Sequence, residues 1–228
     1  MLSLYVSVPI ACFRPGAARE FWETHSLPPP STVYGFLLSL VGEVDRNRHL
    51  GVRCTAGLLN QPATSTVLRK MWRIKELAGK NNATQGAGSN VRPDYQNLLT
   101  DVRLVVFVDS TEEQADDDKL ESRIVMALDP TKRSSIDRFG GLSLGESTHM
   151  IDEVSLFEKY KPEEDMSLAR VYLNNPGGNL TLPVWVDHVG RSGTRYTTGR
   201  IQRLDSDLPD IGQIPKIVNG KDSPTIKE

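Results

Sequence analysis

One short pattern in this sequence has the residue types of a hydrolytic site. Gly141-Leu142-Ser143-Leu144-Gly145 matches the G-x-S-x-G nucleophile motif, and Asp187-His188 completes the order serine, acid, histidine. That motif works at a sharp turn between a buried strand and a helix, whereas the preceding residues 132–138 are polar and basic. Because this local context is missing, a serine esterase is only a distant alternative.

The histidines do not have the spacing of metal ligands. No pair has H-x-x-x-H or H-x-H spacing, so no metal site is predicted; the four are His25, His49, His149 and His188. A metal-independent ribonuclease needs a general base and a general acid beside the RNA, and His149, next to Glu146 and Ser147, is the best candidate. We favour the alternative that this unpaired histidine only hydrogen-bonds a loop or the RNA.

A locally basic segment is more informative. Residues 69–92 contain six basic residues and one acid, Glu76, which gives a local charge of +5 in a chain of net charge −2. The basic residues are Arg69, Lys70, Arg73, Lys75, Lys80 and Arg92. Trp72 lies among them, and an aromatic ring beside basic side chains can stack a base while the cations neutralise phosphates. The alternative is a solvated hairpin with ordinary surface charge.

A glycine-rich stretch covers residues 137–147 and includes the basic residue Arg138. Two further basic residues, Lys132 and Arg133, precede it. Glycines let backbone N–H groups approach phosphates closely. No Gly-Lys-Ser/Thr closes the stretch, so it is not a P-loop, and the RNP1 pattern is absent from the chain. An RNA-binding protein with this sequence would use the glycine-rich loop and the basic finger rather than an aromatic sheet face.

The elements that must position these residues follow from hydrophobic periodicity. Residues 2–8 alternate apolar and polar side chains, as in a half-buried strand. Ser31 or Thr32 is predicted to cap a helix over about 33–44, whose apolar residues recur at helical spacing. The other predicted elements are two strands within 51–75, a central strand over 102–108, a helix from the acidic segment 111–118 to about 126, and short strands near 169–173, 180–186 and 195–203.

The order of these elements favours an α+β fold, a ferredoxin-like βαββαβ unit with a β-rich C-terminal addition. The length of 228 residues is enough to bury one sizeable core. From Asp205 onward Pro, Gly, Asp and Lys dominate, so we expect a mobile tail or a segment that orders only on a partner.

Composition limits the class and the compartment. A net charge of −2 excludes a histone-like protein that coats nucleic acid by bulk charge, but it allows a local basic groove. The cysteines, Cys12 and Cys54, fit buried thiols in a reducing cytoplasm and cannot form a zinc site alone. The first apolar stretch has no basic residue before Arg14 and contains Pro9, so it is predicted to be a strand rather than a signal peptide. The apolar stretch 33–41 is too short to span a membrane, and we expect a soluble, cytoplasmic protein.

Several ordered motifs together resemble a known family. They are Phe13-Arg14-Pro15, Leu27-Pro28-Pro29-Pro30-Ser31-Thr32-Val33-Tyr34-Gly35, residues 92–102, and Gly140-Gly141-Leu142-Ser143-Leu144-Gly145-Glu146-Ser147. In this order they resemble the CRISPR-associated Cas5 family, a branch of the RAMP superfamily, over roughly residues 1–155. The C-terminal third matches only loosely.

The resemblance implies a ferredoxin-like (RRM-like) RAMP domain with an inserted β-hairpin thumb. We expect the RAMP domain over 1–165 with the thumb at about 66–95, a β-rich extension over 166–204 and a flexible tail over 205–228. Proteins of this kind bind the 5′ handle of CRISPR RNA in type I Cascade and serve antiviral defence or guided DNA targeting. The implied partners are CRISPR RNA, the Cas7-type backbone subunit whose filament the protein caps, the large Cas8-type subunit that reads the PAM, and target DNA through the complex. No cofactor and no membrane are implied.

The resemblance also implies roles for residues. Arg14 would contact a handle phosphate, and Ser31, Thr32 and Tyr34 at the start of the first helix would present hydroxyls and N–H groups to RNA. Glu146 is acidic where the family often has a basic or serine-rich pattern, so it would brace the loop or accept from a base amino group. The candidate RNA-binding residues are Arg14, Ser31, Thr32, Tyr34, Arg69, Lys70, Trp72, Arg73, Lys75, Arg92, Arg138, Gly140, Gly141, Gly145, Ser147 and His149.

One branch of the family cleaves precursor CRISPR RNA with a set of Tyr, Lys and His. That set is not identified in this sequence, so we expect a subunit that binds RNA without catalysis. A processing endoribonuclease is the alternative.

Overall fold

The computed structural model describes residues 1–16, 21–72, 91–115, 118–159, 169–189, 192–204 and 208–219. The strands in these ranges are β1 (Leu2–Ala11), β2 (Phe21–Trp22), β3 (Arg53–Leu58), β4 (Ala63–Trp72), β5 (Val91–Asp109), β6 (Glu153–Leu156), β7 (Arg170–Asn174), β8 (Leu180–Trp185) and β9 (Arg195–Arg203). The α-helices in these ranges are α1 (Pro30–Leu40) and α2 (Leu120–Leu128). The predicted α+β class is confirmed.

These strands belong to one sheet. Its order is β6-β1-β5-β3-β7-β9-β8, and β2 and β4 pair with β5 off this path. Neighbouring strands are antiparallel, except that β2 runs parallel to β5. The predicted C-terminal strands form, and β7 pairs with β3, so this part of the chain extends the sheet.

The long strand β5 has two halves with different surroundings. Its inner half pairs with β1 on one side and with β3 on the other, and residues 104–108 are fully buried. Its outer half, residues 91–100, pairs with β4 from Val91–Trp72 to Thr100–Ala63, and with β2 at Tyr95 and Gln96. We call β4, β2 and residues 91–100 the ribbon. Because both of its faces are covered, the segment 104–108 is apolar throughout, as the sequence predicted for a central strand.

The two faces of the central strands bury different side chains. Leu4 and Val6 of β1 face the core under the helices, where Val33 and Leu37 of α1 pack. Tyr5 points to the opposite face and packs with Val105, Phe107, Phe157 and Ile214. The alternation in β1 thus reflects two cores rather than one buried and one solvated face.

The first helix begins and ends earlier than predicted. Pro29 precedes its first turn and Pro30 opens it, so neither Ser31 nor Thr32 is the cap. Proline suits this position because the first turn leaves its N–H groups without helical partners. The helix ends before Gly42, which adopts φ +68, and Val44 beyond it is almost fully exposed.

Part of the predicted flexible tail is folded. Ile214 and Ile217 are fully buried, Gly51 N donates to Ile217 O at 3.0 Å, and Ile217 N donates to Val52 O at 2.8 Å. Two buried isoleucines hold this segment against the start of β3, in spite of its Pro, Gly and Asp content. Residues 205–207 and 220–228 lie outside the described ranges. Within the described residues, no helix is long and apolar enough to cross a bilayer.

Candidate nucleic-acid interface

Two guanidinium groups meet one tryptophan about midway along the ribbon. Arg14 lies just after β1, and its Cζ is 4.5 Å from the centre of the Trp22 ring. Arg69 of β4 approaches the same ring to 5.3 Å. Both distances are within cation–π range, so the ring holds two cations at a position where each side chain also reaches solvent. We call Arg14, Trp22 and Arg69 the arginine cluster.

Gln96 and Glu146 join the arginine cluster to the glycine-rich loop. Arg69 Nη1 donates to Gln96 Oε1 at 2.5 Å and to Glu146 Oε2 at 3.2 Å. Gln96 Nε2 donates to Glu146 Oε1 at 3.0 Å. Glu146 therefore braces the loop, one of the two roles expected of it, and it offsets part of the positive charge of Arg69.

The loop itself is fixed on the end of β1. Gly145 adopts φ +94, and a Cβ there would lie 2.6 Å from the carbonyl oxygen of Cys12. Leu144 N donates to His149 O at 3.1 Å, and Cys12 N donates to His149 Nδ1 at 3.2 Å. Only glycine permits so close an approach in this conformation.

His149 is a structural acceptor in this arrangement. Since Nδ1 accepts the Cys12 amide, the neutral ring carries its proton on Nε2. Burial lowers the pKa of His149, the negative charge of Glu146 opposes this shift, and the positive charge of Arg69 adds to it. The lowered pKa favours the neutral ring, whose Nδ1 holds the loop to β1.

The structure brings together several of the predicted site residues. Arg14 and Arg69 belong to the arginine cluster, and Gly145 and His149 pack beside it. Exposed predicted residues on the same loop or ribbon are Gly140, Gly141, Ser147 and Lys70. Arg73 and Lys75 lie outside the described residues, and Trp72 and Arg92 lie in the ribbon strands without a described side chain.

Tyr34 does not face a ligand. Its side chain is fully buried, and its hydroxyl donates to Arg46 O at 2.8 Å. Burial raises the pKa of this phenol. The prediction that Tyr34 presents a hydroxyl to RNA is therefore wrong, because the helix turns this position toward the core. Ser31 and Thr32, one turn earlier, are half-buried.

Arg138 lies in another part of the surface. The carbonyl of its neighbour Asp137 packs over Gly42 at the end of α1. Arg138 lines a surface cavity of about 360 Å³ there, together with Glu43 and His188. Arg138 and Gly145 belong to the same stretch of sequence, but they lie in different surroundings.

Two residues of the interface were missed by the sequence reasoning. Trp22 and Gln96 are paired across β2 and β5 and are almost fully buried. Neither lies in a motif. A lone tryptophan close in sequence to Arg14 was the one available signal.

The hydrolase pattern has no matching structure. Ser143 forms an isolated antiparallel bridge with Met150 instead of standing between a strand and a helix. Asp187 accepts from the amides of Val189 and Gly193, beside Trp185. Among the described residues, no three His, Cys, Asp or Glu side chains are grouped to hold a metal ion.

Comparison with known proteins identifies relatives along nearly the whole chain. No family model matches the sequence. A CRISPR-associated protein Cas5 from Myxococcus xanthus (strain DK1622) is 49% identical over 217 residues, which cover 95% of this chain and 97% of that protein.

Two solved structures share the fold. One, described as a CRISPR RNA-guided surveillance complex, has a TM-score of 0.59 at 13% identity and covers 89% of each chain. Another, a Cas protein, has a TM-score of 0.51 at 14% identity and covers 94% of this chain and 97% of that one. Identity this low speaks for the fold alone. The relative that is nearly half identical along almost the full length decides the assignment that the motifs predicted: this chain belongs to the CRISPR-associated Cas5 family.

Proposed function

We propose that this chain is a non-catalytic, RNA-binding subunit of a CRISPR RNA-guided surveillance complex, and that it holds the 5′ handle of CRISPR RNA at the arginine cluster. One observation carries the proposal. In a Cas5-family chain, two guanidinium groups and a glycine-rich loop converge at one face of the ribbon.

The chemistry of this site suits a single-stranded RNA end. Arg14 and Arg69 offer planar donors that match phosphate oxygens. Gly140 and Gly141, earlier in the same loop as Glu146, have an exposed backbone whose N–H groups a phosphate could approach closely. Glu146 holds Arg69 in place, so less side-chain freedom is lost when RNA binds.

The fold supports the finer RAMP assignment within this proposal. The order β6-β1-β5-β3, with α1 after β1 and α2 after β5, is the order of a split βαββαβ unit. The ribbon would be the base of the inserted thumb. Membership of the Cas5 family supports assembly into a surveillance complex, and we include in the proposal contacts with its backbone subunit and its large subunit.

The state of His149 supports a holding role. Its Nδ1 accepts a backbone amide and its pKa is lowered, so the ring has one free N–H donor and no free basic nitrogen. A general base for RNA cleavage needs an accessible acceptor nitrogen.

Fluorescence anisotropy with labelled 5′-handle RNA tests the binding site. We expect Arg14→Ala and Arg69→Ala to weaken binding and each to reduce the slope of log K against log salt by about 0.7. Arg200→Ala, an exposed arginine on β9, is the matched control and should leave both quantities unchanged. Equal affinities for all four proteins would contradict the proposed site.

Incubation with repeat RNA in the absence of metal tests the non-catalytic role. We expect intact RNA. Site-specific cleavage that His149→Ala abolishes would establish the processing endoribonuclease instead.

A further inference from the structure

Three large apolar side chains form a row across the outer face of the ribbon. Phe21 of β2 pairs directly with Tyr95 of β5, and Tyr95 pairs on its other side with Leu68 of β4. Directly paired residues point to the same face of a sheet. With neighbouring strands about 4.8 Å apart, the row extends about 10 Å across three strands. We call these three residues the outer row.

The outer row is open to solvent, in contrast to its neighbours in sequence. Phe21, Tyr95 and Leu68 are 45%, 51% and 57% exposed. Trp22 and Gln96, the next residues along β2 and β5, point to the inner face and are almost fully buried. The ribbon therefore has an inner face that carries the arginine cluster and an outer face that carries two exposed aromatic rings.

The polar surroundings of the outer row indicate its ligand. Lys70, paired with Pro93 one step along the same face, is exposed. On the other side, Thr66 Oγ1 donates to Asn97 Oδ1 at 2.8 Å. Within the described ribbon strands no carboxylate occupies this face, since Asp94 and its partner Arg69 point to the inner face, and the exposed Glu23 lies just beyond the end of β2. Rings flanked by a cation and uncharged polar groups are the composition of surfaces that stack bases of single-stranded nucleic acid.

We propose that the outer row is a stacking surface for unpaired bases of single-stranded RNA, with Phe21 and Tyr95 as the rings and Lys70 beside the backbone. The identity of the polymer as RNA rests on the proposed function. The two faces of the ribbon then bind different parts of the RNA. The inner face binds phosphates at the arginine cluster, and the outer face binds bases. Leu68 closes one side of the row. The sequence showed no aromatic sheet face because these residues are far apart along the chain.

Replacement of the rings by leucine separates base stacking from simple apolar contact. Phe21→Leu and Tyr95→Leu retain apolar area but lose the π-face. Two labelled probes are used with the full chain, a 12-mer oligoadenylate and an abasic ribose-phosphate 12-mer. We expect each variant to bind oligoadenylate about 5-fold or more weakly, from the usual contribution of a stacked base, and to bind the abasic probe like the wild type. Tyr196→Leu, at an exposed ring on β9, is the matched control and should change neither affinity.

The same measurements contain the results that would overturn the proposal. Leucine variants that bind oligoadenylate like the wild type would show that the row is an apolar protein contact or a cross-strand pair, even if their melting temperature falls. If Arg69→Ala still weakens handle binding in that case, the proposed function stands and the outer row alone fails. If Arg69→Ala is also without effect, both fail.

Discussion

The packing of the glycine-rich loop predicts a difference between two glycines that the sequence presents as equivalent. Gly140 and Gly145 both adopt a left-handed backbone, with φ +75 and +94. A Cβ on Gly140 would meet no atom within 4 Å, whereas a Cβ on Gly145 would lie 2.6 Å from the carbonyl oxygen of Cys12. Alanine at Gly140 changes the free energy of unfolding only through the backbone conformation, whereas alanine at Gly145 also adds the steric contact with β1. The difference between the two variants therefore measures the contribution of that contact.

The magnitudes follow from these contacts. A left-handed conformation costs a residue with a Cβ about 1–2 kcal/mol, and the reduced entropy of the unfolded chain returns about 0.4–1 kcal/mol. Gly140→Ala should thus lower the free energy of unfolding by about 1 kcal/mol. In Gly145→Ala the Cys12 carbonyl must retreat, which strains the bond from Cys12 N to His149 Nδ1, and loss of such a bond costs about 1–3 kcal/mol. The expected total for Gly145→Ala is about 2–4 kcal/mol.

Urea unfolding of both variants measures the difference, and anisotropy with handle RNA reports the loop. Gly145→Ala should bind the RNA more weakly than Gly140→Ala, because the loop that carries Glu146 is displaced. Gly35→Ala is the control within α1: a Cβ there meets nothing, and its higher helix propensity should stabilise the protein by up to about 1 kcal/mol. Unfolding free energies of Gly140→Ala and Gly145→Ala that agree within error would refute the described packing of the loop on β1.

Three further outcomes are expected. Ile217→Ala should lower the unfolding free energy by about 2–5 kcal/mol, measured in urea, because the side chain is fully buried; a neutral effect would mean that the segment is not folded on β3. Tyr34→Phe should cost about 1 kcal/mol through the lost bond to Arg46 O and leave handle affinity unchanged, and weaker RNA binding would reinstate its predicted role. Although burial raises the pKa of Glu43, the hydrogen bond and the charge of Arg123 bring that pKa to about 2. The ionised carboxylate therefore stabilises the folded protein above its ordinary pKa, and this stability is lost as the pH falls from about 4.5 to 2. Glu43→Gln should flatten the dependence of the unfolding free energy on pH in this acid range, and identical pH dependences for the variant and the wild type would count against the ion pair.

The sequence by itself determined what depends on local pattern. The alternation of apolar and polar residues predicted β1, an apolar run predicted the inner half of β5, and apolar residues at helical spacing predicted α1. Each of these signals repeats within a few residues of one element. The same holds for the loop that carries Gly145 and for the cations Arg14 and Arg69, whose residue types alone indicated an anion-binding surface. Family membership also followed from ordered local motifs.

The tertiary structure alone decided which side chains meet and which face they share. β2 has two residues and no periodicity, so only its register against β5, more than 70 residues later, pairs Trp22 with Gln96 and Phe21 with Tyr95. Tyr34 is polar at its tip but buried, because the packing of α1 determines whether its hydroxyl meets RNA or a carbonyl. A one-residue shift of register would exchange the inner and outer faces of the ribbon, and that register is set by long-range pairing that no local segment encodes.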